Sequence, residues 1–171
     1  IALQASRESL VLLKNENNVL PLDINNVKKI AVCGPNADEE GYALTHYGPL
    51  AVEVTTVLEG IRQKSEGKAE VLYTKGCDLV DANWPESELI DYPMTDSEQA
   101  EIDKAVENAR QADVALVVLG GGQRTCGENK SRSSLDLPGR QLKLLQAVQA
   151  TGKPVVLVLI NGRPLSINWA D

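Results

Sequence analysis

Four short apolar segments, each next to turn residues, predict β-strands. The third and fourth are nearly continuous apolar runs, which is typical of strands that are covered on both faces of a sheet. In chain order the segments are KKIAVCG at 28–34, AEVLYTKG at 69–76, DVALVVLGG at 113–121 and PVVLVLINGRP at 154–164.

The segments between these strands have the spacing of helices. Apolar residues recur at i, i+3, i+4 and i+7 between positions 97 and 112, which places them on one helical face. Thr56 and Glu59 have the spacing of a capping box, which predicts that a helix begins there. Pro138 suits the first turn of another helix. A further helix is predicted over residues 2–15, with its leucines on roughly one face.

The alternation of strand and helix predicts the fold class. Such an order forms a parallel sheet with helices packed against it. We therefore expect an α/β fold, a three-layer sandwich with a mostly parallel sheet and helices on both faces. In such sheets ligands bind beyond the carboxyl ends of the strands. Two long segments without a clear period, 77–95 and 120–139, follow strand ends and are candidates to build a site.

Composition and charge exclude several classes of function. The net charge of −7 over 171 residues argues against a nucleic-acid-binding face, which needs clustered basic side chains. No apolar run reaches the length of a membrane span. The three cysteines have no CxxC spacing and only one histidine accompanies them, which removes the usual zinc arrangements. We therefore expect no nucleic-acid partner, no membrane span and no metal.

The segment GGGQRTCGENKSRSSLDLPG at 120–139 follows the third predicted strand, and its glycines suggest a phosphate site. A dinucleotide-binding GxGxxG motif fails because Thr125 stands in place of the third glycine. A P-loop fails because Glu128 stands where a lysine must contact the phosphates, and because Asn129 lacks the hydroxyl that binds magnesium. The sequence therefore predicts no cofactor.

Glu128 remains as the residue on this loop that is a candidate for a catalytic role. A mobile loop can bring a carboxyl group to a neighbouring site as a general acid/base, and glycoside cleavage needs two carboxyl groups. The alternative is that Glu128 only forms surface ion pairs, which contribute little to stability. Arg124, Lys130 and Arg132 are the candidate partners for such pairs. From the chemistry of the residues alone, the ion-pair interpretation is favoured.

Six sequence blocks change this balance. They are ASRESLVLLKNENNVLPL, KIAVCGPNAD, TTVLEGI, ADVALVVLGG, GENKSRSSLDLPGRQ and ATGKPVVLVLINGRPLSINWA. In content and order they resemble the second domain of glycoside hydrolase family 3, the β-glucosidase and β-xylosidase family. That domain is an α/β sandwich that follows an N-terminal (β/α)8 barrel. The resemblance implies that residues 1–26 are a helix and linker after an absent barrel, and that residues 27–171 are the sandwich domain, truncated at its C-terminal end.

The resemblance also implies a catalytic residue. In the family, the barrel supplies an aspartate nucleophile, and the second domain supplies a glutamate acid/base from a loop resembling G-E-G-x-D-R followed by L-x-L-P-G. The matching positions are Gly127, Glu128, Arg132, Leu135, Leu137, Pro138 and Gly139. Asn129 and Ser131 depart from the pattern, at positions where glycine and aspartate are common. Glu128 is therefore the expected acid/base.

The implied activity is retaining, exo-acting hydrolysis of a β-linked glucoside or oligosaccharide. The first alternative is a β-xylosidase or related exo-glycosidase, and the second is a non-catalytic module that binds carbohydrate or stabilises a partner domain. A free-standing flavodoxin-like regulator that binds a small anion is a third. Because the nucleophile belongs to the barrel, the chain alone should be inactive. Family members are often periplasmic or secreted, and that location is implied here.

Arg132, Trp84 and Tyr92 are the candidate substrate-binding residues. Arg132 has two possible roles, either to orient Glu128 or to fasten the loop, and fastening is slightly favoured. The rings of Trp84 and Tyr92 suit the C–H faces of sugars, with anchoring of their own loop as the equal alternative. His46, the single histidine, has no visible partner constellation and is more often structural.

Overall fold

The computed structural model describes residues 1–41 and 52–170. Within these residues the chain forms a parallel sheet in the order β2-β1-β3-β4. The strands are β1 (Lys29–Cys33), β2 (Glu70–Thr74), β3 (Val114–Gly120) and β4 (Val155–Ile160). They coincide with the four apolar segments. Every residue of β3 is buried, which confirms that this strand is covered on both faces.

Helices cover both faces of this sheet. The helices that pack against it are α2 (Val57–Ser65), α3 (Asp96–Gln111) and α4 (Gln141–Gln149), whereas residues 3–8 of α1 (Ala2–Glu8) are exposed. On one face, Ile102 and Ala105 of α3 and Leu144 of α4 share a core with alternate residues of β1 and β3. On the other face, Leu58 of α2 joins Val32 and the remaining inward residues of these strands. The predicted three-layer α/β sandwich is therefore confirmed.

A capping box fixes the start of α2, as the spacing of its residues predicts. The Thr56 hydroxyl accepts a hydrogen bond from the Glu59 N–H at 3.2 Å, and the Glu59 carboxylate accepts one from the Thr56 N–H at 2.9 Å. Thr95 and Glu98 form the same arrangement before α3. Both boxes satisfy backbone donors that the first turn of a helix leaves free.

The helix predicted over residues 2–15 is wrong in its length, because it ends at Glu8. The four apolar side chains from Leu10 to Leu13 are between 65% and 80% exposed. Most helices in proteins are stabilised by packing an apolar face rather than by propensity. Because no described element covers these side chains, the periodic pattern alone does not extend the helix.

The start predicted for the helix at Pro138 is also wrong, by three residues. α4 begins at Gln141, because Gly139 adopts a φ of +59°, which lies outside the helical region. A Cβ at Gly139 would lie 2.9 Å from the backbone of Val80 and Asp81. The residue therefore brings the chain close to the long segment after β2 before the helix starts.

Candidate functional site

A cleft lies at the carboxyl edge of the sheet, where the order of the strands reverses. The chain passes from β1 outwards to β2, and then from β3 outwards to β4 on the other side. The loops after β1 and β3 therefore diverge, and such a switch point is the usual ligand site of an open α/β sheet. The cleft has a volume of about 520 Å³, and Asn36, Asp81 and Gln123 are among the residues that line it.

Two buried amide side chains hold the chain where it leaves β3 beside this cleft. Gln141 Oε1 accepts a hydrogen bond from the Gly120 N–H at 2.8 Å, and its Nε2 donates to the Gly120 carbonyl at 2.9 Å. Asn36 Nδ2 donates to the carbonyl of Gly121 at 2.8 Å. Gly120 has a φ of +137°, and a Cβ there would lie 2.0 Å from the Ile160 carbonyl oxygen. The glycine-rich segment is thus fixed at its start.

Glu128 lies in a β-turn of this segment. The Lys130 N–H donates to the Gly127 carbonyl at 3.2 Å, which leaves Glu128 and Asn129 at the two central positions. Asn129 has a φ of +59°, as the second central residue of a type II turn requires, and Asn tolerates this region better than most residues. The turn geometry therefore explains how asparagine can stand where glycine is common in the family motif.

The Glu128 side chain is exposed and forms no hydrogen bond or salt bridge within residues 1–41 and 52–170. The ion pairs with flanking bases, which the sequence favoured on chemistry alone, are therefore not formed among these residues. Arg132, one of the three candidate partners, pairs with Glu88 instead. The carboxyl group of Glu128 is accessible to a ligand or to another domain.

Arg132 fastens the segment to the long loop after β2. Its side chain is only 3% exposed, forms a salt bridge with Glu88 and donates to the Asp136 carbonyl at 2.9 Å. The Ser133 N–H and hydroxyl donate to the other Glu88 oxygen at 2.9 and 2.8 Å. The Arg132 guanidinium lies 5.0 Å from the centre of a Trp84 ring, which is the geometry of a cation–π contact. The structure thus brings Arg132 and Trp84 together, and this arrangement favours the fastening role.

Tyr92 lies on the same long loop but has other neighbours. Its hydroxyl donates to the Glu86 carboxylate at 3.3 Å, and its carbonyl accepts a hydrogen bond from Arg140 at 3.0 Å. In the described part of the chain, no hydrogen bond joins Tyr92 to Arg132 or Glu128. His46 lies outside the described residues.

Glu88 is a central residue of this arrangement that the sequence did not single out. Partial burial acts to raise the pKa of Glu88, but hydrogen bonds from the Ser133 backbone, the Arg132 guanidinium and the Ser133 hydroxyl outweigh it. The net pKa of Glu88 is therefore lower than its ordinary value of 4.5. In the sequence WPESEL, nothing distinguishes Glu88 from Glu86, because the partners of Glu88 lie more than forty residues away along the chain.

Glu88→Gln is expected to destabilise the protein by on the order of 1 kcal/mol at pH 7, because a neutral amide replaces the charged partner of a buried arginine. A lowered folded-state pKa means that the carboxylate stabilises the fold above its unfolded-state pKa. The difference in free energy of unfolding between the wild-type protein and Glu88→Gln should therefore shrink as the pH falls below 4.5 and disappear below the folded-state pKa of Glu88. Urea unfolding at several pH values measures it, with Glu86→Gln as control. A difference that does not vary with pH would contradict this expectation.

Two of the three thiols are buried, and the described residues contain no metal site. Within them, no three His, Cys, Asp or Glu side chains lie close enough to hold a metal ion. The cysteines are unpaired, and burial raises the pKa of Cys33 to about 12 and also raises that of Cys77. Neither thiol is therefore a nucleophile at neutral pH. In the same part of the chain, no helix has both the length and the apolar character to cross a membrane.

The fold and this edge together define a class of protein, a doubly wound α/β domain with an accessible carboxyl group on a turn of the glycine-rich segment, the start of which lines the cleft. The chain belongs to glycosyl hydrolase family 3, since the profile of the family's C-terminal domain matches residues 10–171. This match confirms the resemblance seen in the six sequence blocks.

Individual relatives agree with this assignment. A beta-xylosidase of Formosa agariphila is 39% identical over 98% of this chain, and a periplasmic beta-glucosidase of Salmonella typhimurium is 39% identical over 99% of it. The chain covers only 22% and 23% of these two relatives. Among solved structures, a family 3 beta-glucosidase of Bifidobacterium adolescentis has a TM-score of 0.74 and 34% identity, over 98% of this chain and 22% of that one. The sequence therefore corresponds to one domain of much longer glycoside hydrolases.

Proposed function

We propose that this chain is the C-terminal domain of a retaining, exo-acting β-glycosidase of the β-glucosidase type, and that Glu128 is its general acid/base. The observation that carries the proposal is the position of Glu128. Its carboxyl group is exposed, without an ion pair among the described residues, in a turn whose flanking chain is held at Gly120 and at Arg132. A group that must exchange protons with a substrate needs this combination of access and fixed position.

In the proposed reaction, Glu128 first protonates the departing glycosidic oxygen while a carboxylate nucleophile attacks the anomeric carbon. The bond to the leaving group breaks as the bond to the nucleophile forms. Glu128, now a carboxylate, then removes a proton from water, which attacks the anomeric carbon and releases the nucleophile with net retention of configuration. The two carboxyl groups of such a pair stand about 5–5.5 Å apart. We assign the nucleophile to an aspartate on an N-terminal barrel domain of the same polypeptide.

Two observations support the presence of that second domain. The relatives are more than four times as long as this chain, which covers 22% and 23% of them. The apolar side chains from Leu10 to Leu13 are exposed by 65% or more, and a contiguous apolar surface of this kind commonly marks an interface. On this proposal the isolated chain lacks hydrolase activity, because only one of the two carboxyl groups is present.

Arg132, Trp84 and Tyr92 are proposed to border the sugar site. The contribution of Arg132 is indirect, since its guanidinium is occupied by Glu88 and Asp136. Trp84 and Tyr92 are each partly exposed, which is consistent with contact between their rings and a sugar.

A β-xyloside is the second candidate substrate. The relatives named beta-xylosidase and beta-glucosidase are equally similar to this chain, at 39% identity each, so similarity does not separate the two sugars. The Salmonella relative is a periplasmic beta-glucosidase, and we propose a periplasmic or secreted location for the protein that contains this chain.

The stereochemistry of the first product tests the proposed activity. The full-length protein is expected to hydrolyse an aryl β-glucoside or β-xyloside and to release the β-anomer first, because two displacements at one carbon retain its configuration. Proton NMR of the anomeric signal, recorded before mutarotation, identifies that product. Release of the α-anomer first would contradict the retaining mechanism. A failure to hydrolyse either glycoside would contradict the proposed activity.

A further inference from the structure

The turn that contains Glu128 is attached to the loop that follows β4. Arg163 Nη2 donates to the Lys130 carbonyl at 2.8 Å. On the other side of the turn, a Cβ built on Gly162 would lie 2.8 Å from Cys126 Sγ, so the Cys126 side chain packs directly against the backbone of Gly162. These two contacts enclose the four residues that form the turn.

From this geometry we propose that Arg163 is a positioning residue for the general acid/base. The role rests on the proposed function of Glu128. Lys130 is the last residue of the turn, and its N–H already closes the turn onto Gly127 at 3.2 Å. Arg163 holds the carbonyl of the same residue, so this side chain, together with the contact between Cys126 and Gly162, attaches the turn to the loop after β4.

The loop after β4 is a suitable support because it leaves the sheet beside the loop it holds. Gly120 and Ile160, the last residues of β3 and β4, are paired in register. The Asn161 side chain donates to the Arg163 carbonyl at 2.6 Å, which fixes the backbone of Arg163. The position of Glu128 is thereby fixed by loops from two neighbouring strands and not only by its own loop.

The guanidinium of Arg163 is not fully satisfied by its surroundings. Its Nε is buried and has no hydrogen-bond partner within the described residues. An unpaired buried donor is unfavourable for stability, and such a group in a native structure calls for an explanation. Nη2 of the same guanidinium, which remains charged at all relevant pH values, can hold the Lys130 carbonyl throughout a pH profile.

Position matters strongly for proton transfer. A general acid must lie within about 2.6–3.2 Å of the oxygen that it protonates, and a displacement of about 1 Å can lower a rate about 100-fold. Loss of the Arg163 contact should therefore affect the step that needs the proton of Glu128, and should spare a step that does not.

The test compares two substrates in the full-length protein. For Arg163→Ala, kcat/KM for an alkyl glycoside, whose leaving group needs protonation, is expected to fall about 10- to 100-fold. For a dinitrophenyl glycoside, whose leaving group needs no proton, kcat/KM should fall less than about threefold, since proton transfer then contributes little. Arg163→Lys should recover part of the loss, because an ammonium group can still donate to the Lys130 carbonyl.

Arg110→Ala is the matched control. Arg110 lies in the last turn of α3, which precedes the start of β3 and so lies near the amino ends of the strands. Its side chain is exposed and forms no hydrogen bond or salt bridge among the described residues. This variant should leave both rates unchanged. Thermal melts of all variants identify any loss of folding, and Arg163→Lys provides the comparison if Arg163→Ala does not fold.

Equal losses on both substrates, or no loss on either, would overturn the positioning role. Glu128→Ala, measured in parallel, separates this inference from the function on which it rests. If Glu128→Ala shows selective loss on the alkyl glycoside and the Arg163 variants do not, only the role of Arg163 fails. If Glu128→Ala itself shows no such selectivity, the acid/base assignment fails and the role of Arg163 fails with it.

Discussion

Replacing Glu128 with alanine is expected to lower kcat/KM of the full-length protein for an alkyl β-glycoside by about 10²–10⁴-fold, the usual contribution of general acid catalysis. The alkoxide that leaves such a substrate is a strong base, so its departure depends on a proton from the enzyme. A dinitrophenolate leaves without one, and kcat/KM for the dinitrophenyl glycoside should therefore change little. Steady-state kinetics with both substrates measures this difference directly.

The matched control for this experiment is Glu66→Ala. Glu66 is an exposed acid that follows α2, at the opposite edge of the sheet from the cleft. Its removal changes the net charge by the same amount and should leave both rates unchanged. If Glu128→Ala lowers kcat/KM equally for both substrates, the residue acts in folding or binding and not in proton transfer.

Gln141→Leu is expected to cost about 2–4 kcal/mol in the free energy of unfolding. The Gln141 side chain is fully buried and forms hydrogen bonds with the Gly120 N–H and with the carbonyls of Gly120 and Leu79. Leucine has a similar size but offers no polar atoms, so these backbone groups would remain buried without their partner. Urea unfolding at pH 7 measures the loss.

Gln149→Leu provides the comparison for that substitution. Gln149 is the last residue of the same helix, α4, and its side chain is exposed. Surface substitutions of this kind usually change stability by less than about 0.5 kcal/mol. Similar free energies of unfolding for the two variants would contradict the idea that the buried amide of Gln141 fixes the end of β3.

The sheet could be predicted from the sequence because its strands are apolar runs between turn residues. Burial on both faces requires such runs, and β3 shows this directly because all of its residues are buried, whereas β4, which was also expected to be buried, lies at the edge of the sheet and is only partly buried. The helix over residues 2–15 could not be predicted correctly in the same way. Its apolar pattern describes a face that would pack, while the length of a helix depends on whether something covers that face.

The candidate site was predictable only in part. Glu128 is proposed from the resemblance of a local motif, and the ion pairs expected from its neighbours in sequence are not formed among the described residues. The groups that hold the turn come from distant loops. Arg132 bonds to Glu88 across 44 positions, and Arg163 bonds to Lys130 across 33. Neither pair belongs to a periodic element, so no repeating pattern in the sequence indicates it.

The most direct test of the acid/base assignment is the reaction of the full-length Glu128→Ala variant with azide. Without the base, water attacks the glycosyl-enzyme slowly, whereas azide is a nucleophile that needs no deprotonation. We expect azide to raise kcat for the dinitrophenyl glycoside and the product to be the β-glycosyl azide, identified by NMR. An unchanged kcat and no azide adduct would contradict the assignment of Glu128.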